Sequence, residues 1–518
     1  MDQYAKLALE EYNSDTKTVR RGGKEGKPFW NINASQFMFV PQFSFPWISG
    51  AKRYIYTATD EKGGVYSFEA DNPIAPLTPI WKDIPVGFVT LKVDAVHARD
   101  GKTYVAGMRT FYKTAPFPGR EAYPPAARSY RDCALLAFRF VFNDPTTRYW
   151  LEKGTPDPDY YHNVYPSKTI SAIINASLAY ASLAPEQAKD AITLAKNAAD
   201  YLISITYGAE SSLAGLPPTY SFKGLNKKIV DDNAPAAEGR KDTLMIIYPS
   251  MVGSAYLYLE KVTGEVRYFE AAKRIAEYYA AHVQENGSWP LLIHEPTGEP
   301  ISTNSCLHIA PLNFLNTFYK RTGEERWHTL ERHYYDYIIK NCLESYNWEG
   351  QFEDVVLADY YSNLTHFTAD ALIGYIAQNH KDDERMMKDA EELMRYVEDQ
   401  FVVWGEHAPW NESRWGGAYW YSPAGLEQYK WYVPIDGSTS CIMRAFLDLY
   451  SATKNELYLE KARALGDAIT RMQDPEKGVI PTHWMSKDCT KELFNFWINC
   501  HIGTAFQMLH IAKLLGEL

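Results

Sequence analysis

Carboxylate side chains precede the predicted starts of apolar helices at two places in the chain. Asp436 lies just before Ser438, which can cap a helix, and Asp354 lies ahead of another apolar stretch. Glycoside hydrolysis usually needs two carboxyl groups, one that protonates the leaving oxygen and one that acts as base or nucleophile. We predict that Asp436 and Asp354 form this pair, although Asp436 could also simply complement a helix dipole. Alternative carboxylates are Glu412, Glu406 and Glu295.

Tyrosine and histidine side chains in the same loops suggest a second kind of chemistry. Tyr361, His366 or Tyr432 could remove a proton next to a carboxylate, as in a polysaccharide lyase or a sugar epimerase. Asn363 or Arg414 would then neutralise the charge of that carboxylate. The sequence leaves this reaction open beside hydrolysis, and it also leaves open a catalytically inactive protein that only binds glycans. The candidate catalytic residues are therefore Asp436, Asp354, His366 and Tyr361.

Aromatic residues make up 14% of the chain and concentrate in loops, above all in the segment 404–437. Flat ring faces can hold sugar rings through dispersion contacts. The candidate substrate-binding residues are Trp289, His294, Asn304, His308, Asn363, Trp410, Glu412, Arg414, Trp415, Trp420, Tyr432, His483, Trp484, Trp497 and His501. A packing role for each of them stays open. No HExxH or other metal spacing links the histidines, so we predict neither a metal nor a cofactor.

These side chains need a scaffold that brings distant loops together, and a recurring amphipathic helix provides one. Segments 263–278, 322–337 and 453–468 share one pattern of charged and apolar positions, and 185–205 and 382–401 follow it with looser starts. Repeats spaced by roughly 60 to 80 residues indicate stacked units that bury a shared core. Between them lie largely apolar helices, which we expect inside the fold.

The inner helices are predicted at 168–183, 244–260, 306–319, 365–378, 438–451 and 497–515. No outer helix follows the sixth one, so we expect its partner upstream at 126–142, which would close a ring. Twelve helices in this order resemble the six-hairpin glycosidase superfamily, whose fold is the (α/α)6 barrel. The resemblance implies a mainly α enzyme that hydrolyses oligosaccharides, including those with an acidic sugar. Its active face would lie where the inner helices begin.

The N-terminal region has a β pattern instead, with strands predicted at 36–45, 53–59, 64–68, 88–97 and 103–112. Segments 45–56, 79–87 and 91–96 resemble fibronectin type III domains that are fused to carbohydrate enzymes. A Pro-rich stretch at 115–125 marks the boundary. We therefore predict an N-terminal arm at 1–28, a small β-sandwich at 29–115 and the barrel at 116–518.

Composition restricts the partners of the protein. The net charge of −11 and the absence of a Lys/Arg stripe argue against nucleic acid. No apolar run approaches the length of a membrane span, and the first residues lack the charged and apolar regions of a secretory signal. We therefore expect a cytoplasmic protein, and a secreted protein whose signal has been removed stays open. Six cysteines without CxxC spacing predict free thiols. The expected partner is an oligosaccharide substrate, and a homo-oligomer stays open.

Overall fold

The computed structural model describes residues 2–14, 34–230, 240, 242–352, 363–406, 421–429, 432–484 and 496–518, together with the backbone of 23–24, 27–28 and 431. Within these residues two regions form, an N-terminal sheet and a ring of helices. The ring confirms the predicted mainly α architecture. No helix in the described part of the chain combines the length and apolar character that crossing a bilayer requires.

The ring consists of alternating inner and outer helices. The inner helices are α5 (Pro166–Leu183), α7 (Ile247–Thr263), α9 (Ala310–Thr322), α11 (Phe367–Asn379), α13 (Asp436–Thr453) and α15 (Ile498–Leu514). The outer helices are α3 (Tyr130–Asn143), α6 (Ala188–Ser204), α8 (Val266–His282), α10 (Glu325–Ile338), α12 (Glu384–Phe401) and α14 (Glu456–Met472). Helix α4 (Pro145–Lys153) is a short addition between α3 and α5. Each of the first five inner helices is followed by its outer partner, as the repeats predicted.

Ring closure occurs through the first outer helix. Helix α15 packs against α3 and also against α5, so the last inner helix is enclosed on both sides. The Phe138 and Phe506 rings meet edge to face at 5.1 Å between centroids. The predicted upstream partner is thus confirmed. It begins a few residues later than expected, at Tyr130, because the Ser129 side chain accepts the Asp132 N–H and caps the helix there.

The shared Thr-Gly-Glu start of two repeats has a structural reason. Gly264 and Gly323 end the inner helices α7 and α9 with φ of 73° and 69°, the left-handed conformation that closes many helices. The next outer helix then starts almost at once. In the third copy of the repeat, Lys454 takes the same conformation after α13, with φ 61°. A lysine therefore stands where the other two copies have glycine. These short turns lie at the end of the ring opposite the inner-helix starts.

Helix α9 corrects one prediction, because it begins at Ala310 and not at Cys306. Ser305 forms a bridge with Pro290, and the Cys306 N–H donates to the Trp289 carbonyl at 2.8 Å. The chain is therefore extended and paired ahead of the helix.

The N-terminal region is a five-stranded sheet with the strand order β3-β9-β8-β5-β6. These strands are β3 (Gln36–Phe37), β5 (Ala51–Asp60), β6 (Val65–Ala70), β8 (Gly87–His97) and β9 (Thr103–Lys113). The remaining elements here are α1 (Gln3–Tyr12), β1 (Gly23–Lys24), β2 (Lys27–Pro28), β4 (Gln42–Ser44), β7 (Ile74–Pro76) and α2 (Thr78–Trp81). The edge strand β3 runs parallel to β9, and the other pairs in this sheet are antiparallel. The likeness to fibronectin type III domains is not confirmed, and the domain division stays a prediction.

Candidate active site

Short strands gather where the inner helices begin. Strand β10 (Thr243–Met245) leads into α7 and pairs with β11 (Leu292–His294). Strands β12 (Val402–Val403), β13 (Ala424–Gln428) and β14 (Trp431–Pro434) form a small antiparallel sheet that leads into α13. These strands give the long loops of the ring a fixed course, and the candidate polar residues lie beside them.

Asp436 is the first residue of α13 and is completely buried. Its backbone N–H donates to the Thr482 carbonyl at 2.9 Å, and the Thr504 hydroxyl donates to Oδ2 at 3.2 Å. Oδ1 has no hydrogen-bond partner among the described residues. Burial raises the pKa of this carboxyl well above its usual value, against the lowering effect of the hydrogen bonds. Burial of Asp436 therefore favours the protonated form of its carboxyl.

Helices α13 and α15 approach each other closely around this acid. A Cβ on Gly437 would come within 3.3 Å of Cys500 Sγ, so glycine permits the contact. Ser440 Oγ lies 3.0 Å from Thr504 Oγ1. Burial, followed by the Asp436 charge, raises the pKa of the Cys500 thiol, and burial likewise raises the pKa of Cys441. The thiols stay neutral, and they and the described Cys133, Cys306 and Cys342 are free.

His366 forms a buried pair with Asp370 at the start of the neighbouring inner helix α11. Its Nδ1 lies 2.6 Å from Asp370 Oδ2, and its Nε2 has no partner among the described residues. The spacing of four places both side chains on one face of the first helical turn. Burial raises the pKa of Asp370, against the lowering effect of the imidazole. With the proton on Nδ1, a neutral imidazole presents the lone pair of Nε2 as a base.

The backbone ahead of His366 is held on both sides. Thr365 donates its N–H to the Trp348 carbonyl at 3.0 Å and its hydroxyl to the Glu427 carbonyl at 3.1 Å. The buried Asn363 donates its side-chain N–H to Gln428 Oε1 at 2.9 Å. Asn363 is thus part of the support of His366 in this structure.

Two predicted histidines are packing residues. His501 accepts the Ile480 N–H at Nδ1 at 3.2 Å, and its Nε2 lies 3.0 Å from the Ala137 carbonyl. Burial lowers the pKa of His501 to about 4. His308 accepts the Ala310 N–H at Nδ1 at 3.0 Å, and burial lowers its pKa to about 4 as well. With both ring nitrogens engaged, His501 has none left for a substrate, which corrects its assignment as a binding residue.

Two predicted tryptophans belong to the core instead of a cleft. Trp289 and Trp484 are completely buried, and their indole N–H groups donate to the Tyr279 and Pro481 carbonyls at 2.8 and 2.9 Å. Large apolar rings beside polar loops can be core residues as well as sugar platforms, and here each ring packs inside with its one donor satisfied. We therefore withdraw both as substrate contacts.

The other predicted residues that the structure describes range from exposed to buried. Trp497 is half-buried, and its ring meets that of His483 edge to face at 5.1 Å. His294 and Asn304 are partly exposed beside β11, and His294 Nδ1 lies 2.9 Å from Thr297 Oγ1. Tyr432 is buried in β14. Among the alternative carboxylates, Glu406 is exposed and Glu295 is half-buried.

Several predicted residues lie outside the described residues, namely Asp354, Tyr361, Trp410, Glu412, Arg414, Trp415 and Trp420. Asp370 and Thr504 were not predicted. The spacing His366-x-x-x-Asp370 at a helix start was the signal that could have identified the pair, because i and i+4 side chains meet on a helix.

A group of cations and tyrosines, also not predicted, lies at the starts of α5 and α7. Lys168 Nζ lies 6.0 Å from the centre of the Tyr248 ring. The Arg240 guanidinium donates to the Tyr165 hydroxyl at 3.3 Å and lies 6.0 Å from the Tyr220 ring. Lys168 lowers the pKa of the Cys500 thiol, so its charge acts near Asp436. Burial and Asp436 together raise the pKa of Cys500 by more than Lys168 lowers it. In the part of the chain that the structure describes, no three His, Cys, Asp or Glu side chains could hold a metal ion.

Solved structures of sugar enzymes share this fold. A D-mannose isomerase superposes with a TM-score of 0.51 at 13% identity, over 75% of this chain and 100% of its own. A cellobiose 2-epimerase from Spirochaeta thermophila gives a TM-score of 0.48 at 11% identity, over 73% of this chain and 96% of its own. A family 76 glycoside hydrolase from a bovine Bacteroides thetaiotaomicron strain gives 0.45 at 12% identity, over 89% of this chain and 93% of its own.

No protein-family model and no curated protein sequence matches the chain. The helix order and the superposition on D-mannose isomerase establish the fold as an (α/α)6 barrel.

Proposed function

We propose that this barrel is a carbohydrate-active enzyme that works by acid–base catalysis, and that it hydrolyses glycosidic bonds with Asp436 as the proton donor. The observation that carries the proposal is the state of Asp436. Burial raises the pKa of this carboxyl well above its usual value, which favours the form that carries a proton. Such an acid can protonate the oxygen of a leaving sugar.

The geometry around Asp436 supports this role. Thr504 and the backbone fix the side chain, while Oδ1 stays without a partner among the described residues. An unpaired buried polar atom costs stability, and such atoms are often retained for a function. Because Oδ1 is buried, a sugar oxygen reaches it only after neighbouring side chains move. Asp354 remains our proposal for the second carboxyl.

The cations at the starts of α5 and α7 support an oligosaccharide substrate with an acidic sugar. Lys168 and Arg240 lie among tyrosine rings, a combination that suits a sugar ring carrying a carboxylate. Glu427 is the nearby opposing charge, and it acts on the same thiol of Cys500 as Lys168 does. A uronic acid would place its carboxylate toward the two cations and its glycosidic oxygen toward Asp436.

A panel of neutral and acidic oligosaccharides tests the proposal. We expect the wild type to release new reducing ends. Asp436→Asn and Asp354→Asn should lose this activity, and both variants should still bind the oligosaccharide. Turnover that survives Asp436→Asn would remove Asp436 as the acid. If the wild type binds oligosaccharides without converting them, the result would favour the hypothesis of a protein that only binds glycans.

A second candidate reaction is proton abstraction, as in an epimerase, an isomerase or a lyase. The His366–Asp370 pair favours it, because a carboxylate on Nδ1 orients the imidazole so that Nε2 can act as base. D-mannose isomerase, which has the same fold as this chain, acts on a sugar, as its name states. Uptake of deuterium from heavy water at a sugar carbon, or products that absorb ultraviolet light, would identify this reaction. Its loss in His366→Gln would assign the base.

A further inference from the structure

The N-terminal sheet is joined to the ring through two residues at the end of α12. Asp399 Oδ1 accepts the backbone N–H groups of Met38 and Phe39, each at 2.7 Å. Gln36 and Gln400 exchange two hydrogen bonds of 2.9 Å, each from the side-chain amide of one residue to the backbone carbonyl of the other. Gln36 belongs to β3, which is paired with β9, so these bonds tie the helix to the sheet itself.

Gln400 continues this connection toward the candidate active site. Its Nε2 also donates to Asp399 Oδ2 at 2.6 Å, and its Oε1 accepts the Tyr429 hydroxyl at 2.7 Å. Gln400 is completely buried, and its amide uses the oxygen and the nitrogen at the same time. A buried amide that is satisfied in this way has one orientation, because rotation would leave polar atoms unpaired.

Tyr429 follows β13 and fixes the chain ahead of His366. The Tyr429 N–H donates to the Leu364 carbonyl at 2.9 Å. Thr365, the residue after Leu364, forms a β-bridge with Gln428. The Phe401 ring, directly after Gln400, lies 5.5 Å from the His366 imidazole and 5.5 Å from the Tyr429 ring. Each step from the sheet to His366 is thus a direct contact between buried groups.

We infer that Gln400 and the hydroxyl of Tyr429 are positioning groups, through which the N-terminal sheet holds Thr365 and so keeps the His366 imidazole against Asp370. The inference rests on the proposed acid–base role of His366. It gives the sheet a function in the reaction, because the sheet anchors the far end of the hydrogen-bonded chain. His366 itself would touch the substrate, and Gln400 and Tyr429 would act through it.

Tyr429→Phe tests the inference most directly, because it removes one hydroxyl and keeps the ring. Tyr130→Phe is the matched control, since the buried Tyr130 hydroxyl donates to Asp467 at 2.6 Å between α3 and α14. In Tyr429→Phe we expect hydrogen exchange of residues 363–367 to become about tenfold faster, while residues 36–39 keep their wild-type rates. In Tyr130→Phe both segments should exchange as in the wild type.

Gln400→Glu removes the hydrogen bond that the Gln400 side chain donates to Gln36 of the N-terminal sheet. It keeps an acceptor for Tyr429 but loses the amide N–H groups that bond Gln36 and Asp399, so exchange should rise in residues 36–39 as well as in 363–367. Unchanged exchange at 363–367 in both variants, or an equal change in Tyr130→Phe, would overturn the inference.

Kinetics separate this inference from the proposed function. Once a substrate is found, Tyr429→Phe should lower kcat about tenfold with KM within about twofold of the wild type, because a misaligned base slows the chemical step and leaves binding intact. A rise in KM with unchanged kcat would contradict positioning of His366. If the wild type converts no sugar, the proposed function fails, and the exchange measurements alone still decide whether the sheet holds this segment.

Discussion

Two buried carboxyl groups in the ring differ in how their oxygens are used. Glu331, halfway along α10, is 1% exposed and pairs through both oxygens. Asn316 donates to Oε1, the Tyr375 hydroxyl donates to the same atom at 2.6 Å, and His328 Nδ1 lies 3.0 Å from Oε2. Asp436, at the start of α13, is 0% exposed and pairs through one oxygen only.

The difference separates a structural acid from a candidate catalytic one. Glu331 joins the neighbouring helices α9, α10 and α11, and its hydrogen bonds repay the cost of removing a charge from water. Asp436 leaves Oδ1 without a described partner, and burial raises its pKa, which favours the protonated form. A fold gains little stability from such a group, so its burial calls for another reason.

The largest expected effect is on turnover, with matched amide substitutions at the two acids. Asp436→Asn should lower kcat about a thousandfold, because an amide cannot give up a proton to the leaving oxygen. Glu331→Gln should stay within about twofold of the wild type. Initial rates on the best oligosaccharide of the panel measure both. Similar losses in the two variants would mean that the comparison does not separate the roles.

His366 and His501 allow the same comparison between two buried histidines. For the proton-abstraction reaction, His366→Gln should lower turnover about a hundredfold, because Nε2, the atom without a described partner, would be the base. His501→Gln, at the imidazole with both nitrogens engaged, should change turnover about twofold or less. The measurement is kcat at saturating substrate for soluble, folded variants. An unaffected His366→Gln would assign that pair to packing as well.

The sequence predicted the ring and the face of the site, because both follow from spacing. Apolar periodicity separated inner from outer helices, and the missing outer partner required closure through α3. It could not decide which loop residues are buried. Trp289 and Trp484 look like sugar platforms in a polar loop, but both side chains are completely buried, next to the bridges that Pro290 and His483 form with distant residues. Such contacts depend on distant elements that local patterns do not record.

Thermodynamic stability should show the opposite order from turnover. Glu331→Ala should lower the free energy of unfolding by about 3 kcal/mol, because Asn316 and Tyr375 lose their buried acceptor and a cavity remains. Asp436→Ala should cost less, about 1 kcal/mol, since Thr504 is the one side chain among the described residues that loses a partner. Urea unfolding followed by circular dichroism gives both values. Equal losses would show that the unpaired oxygen of Asp436 has a partner in solution.

The last prediction concerns pH and His501, whose two ring nitrogens are both engaged. Burial lowers the pKa of His501 from 6.5 to about 4, so between these values the unfolded chain binds more protons than the folded one. Stability is therefore fully present above pH 6.5 and falls as the pH drops toward 4, by about 3 kcal/mol for this group. His308 adds to the same slope. His501→Gln should flatten the fall in urea midpoints between pH 7 and pH 4, and an unchanged slope would show that His501 is protonated without cost in the folded protein.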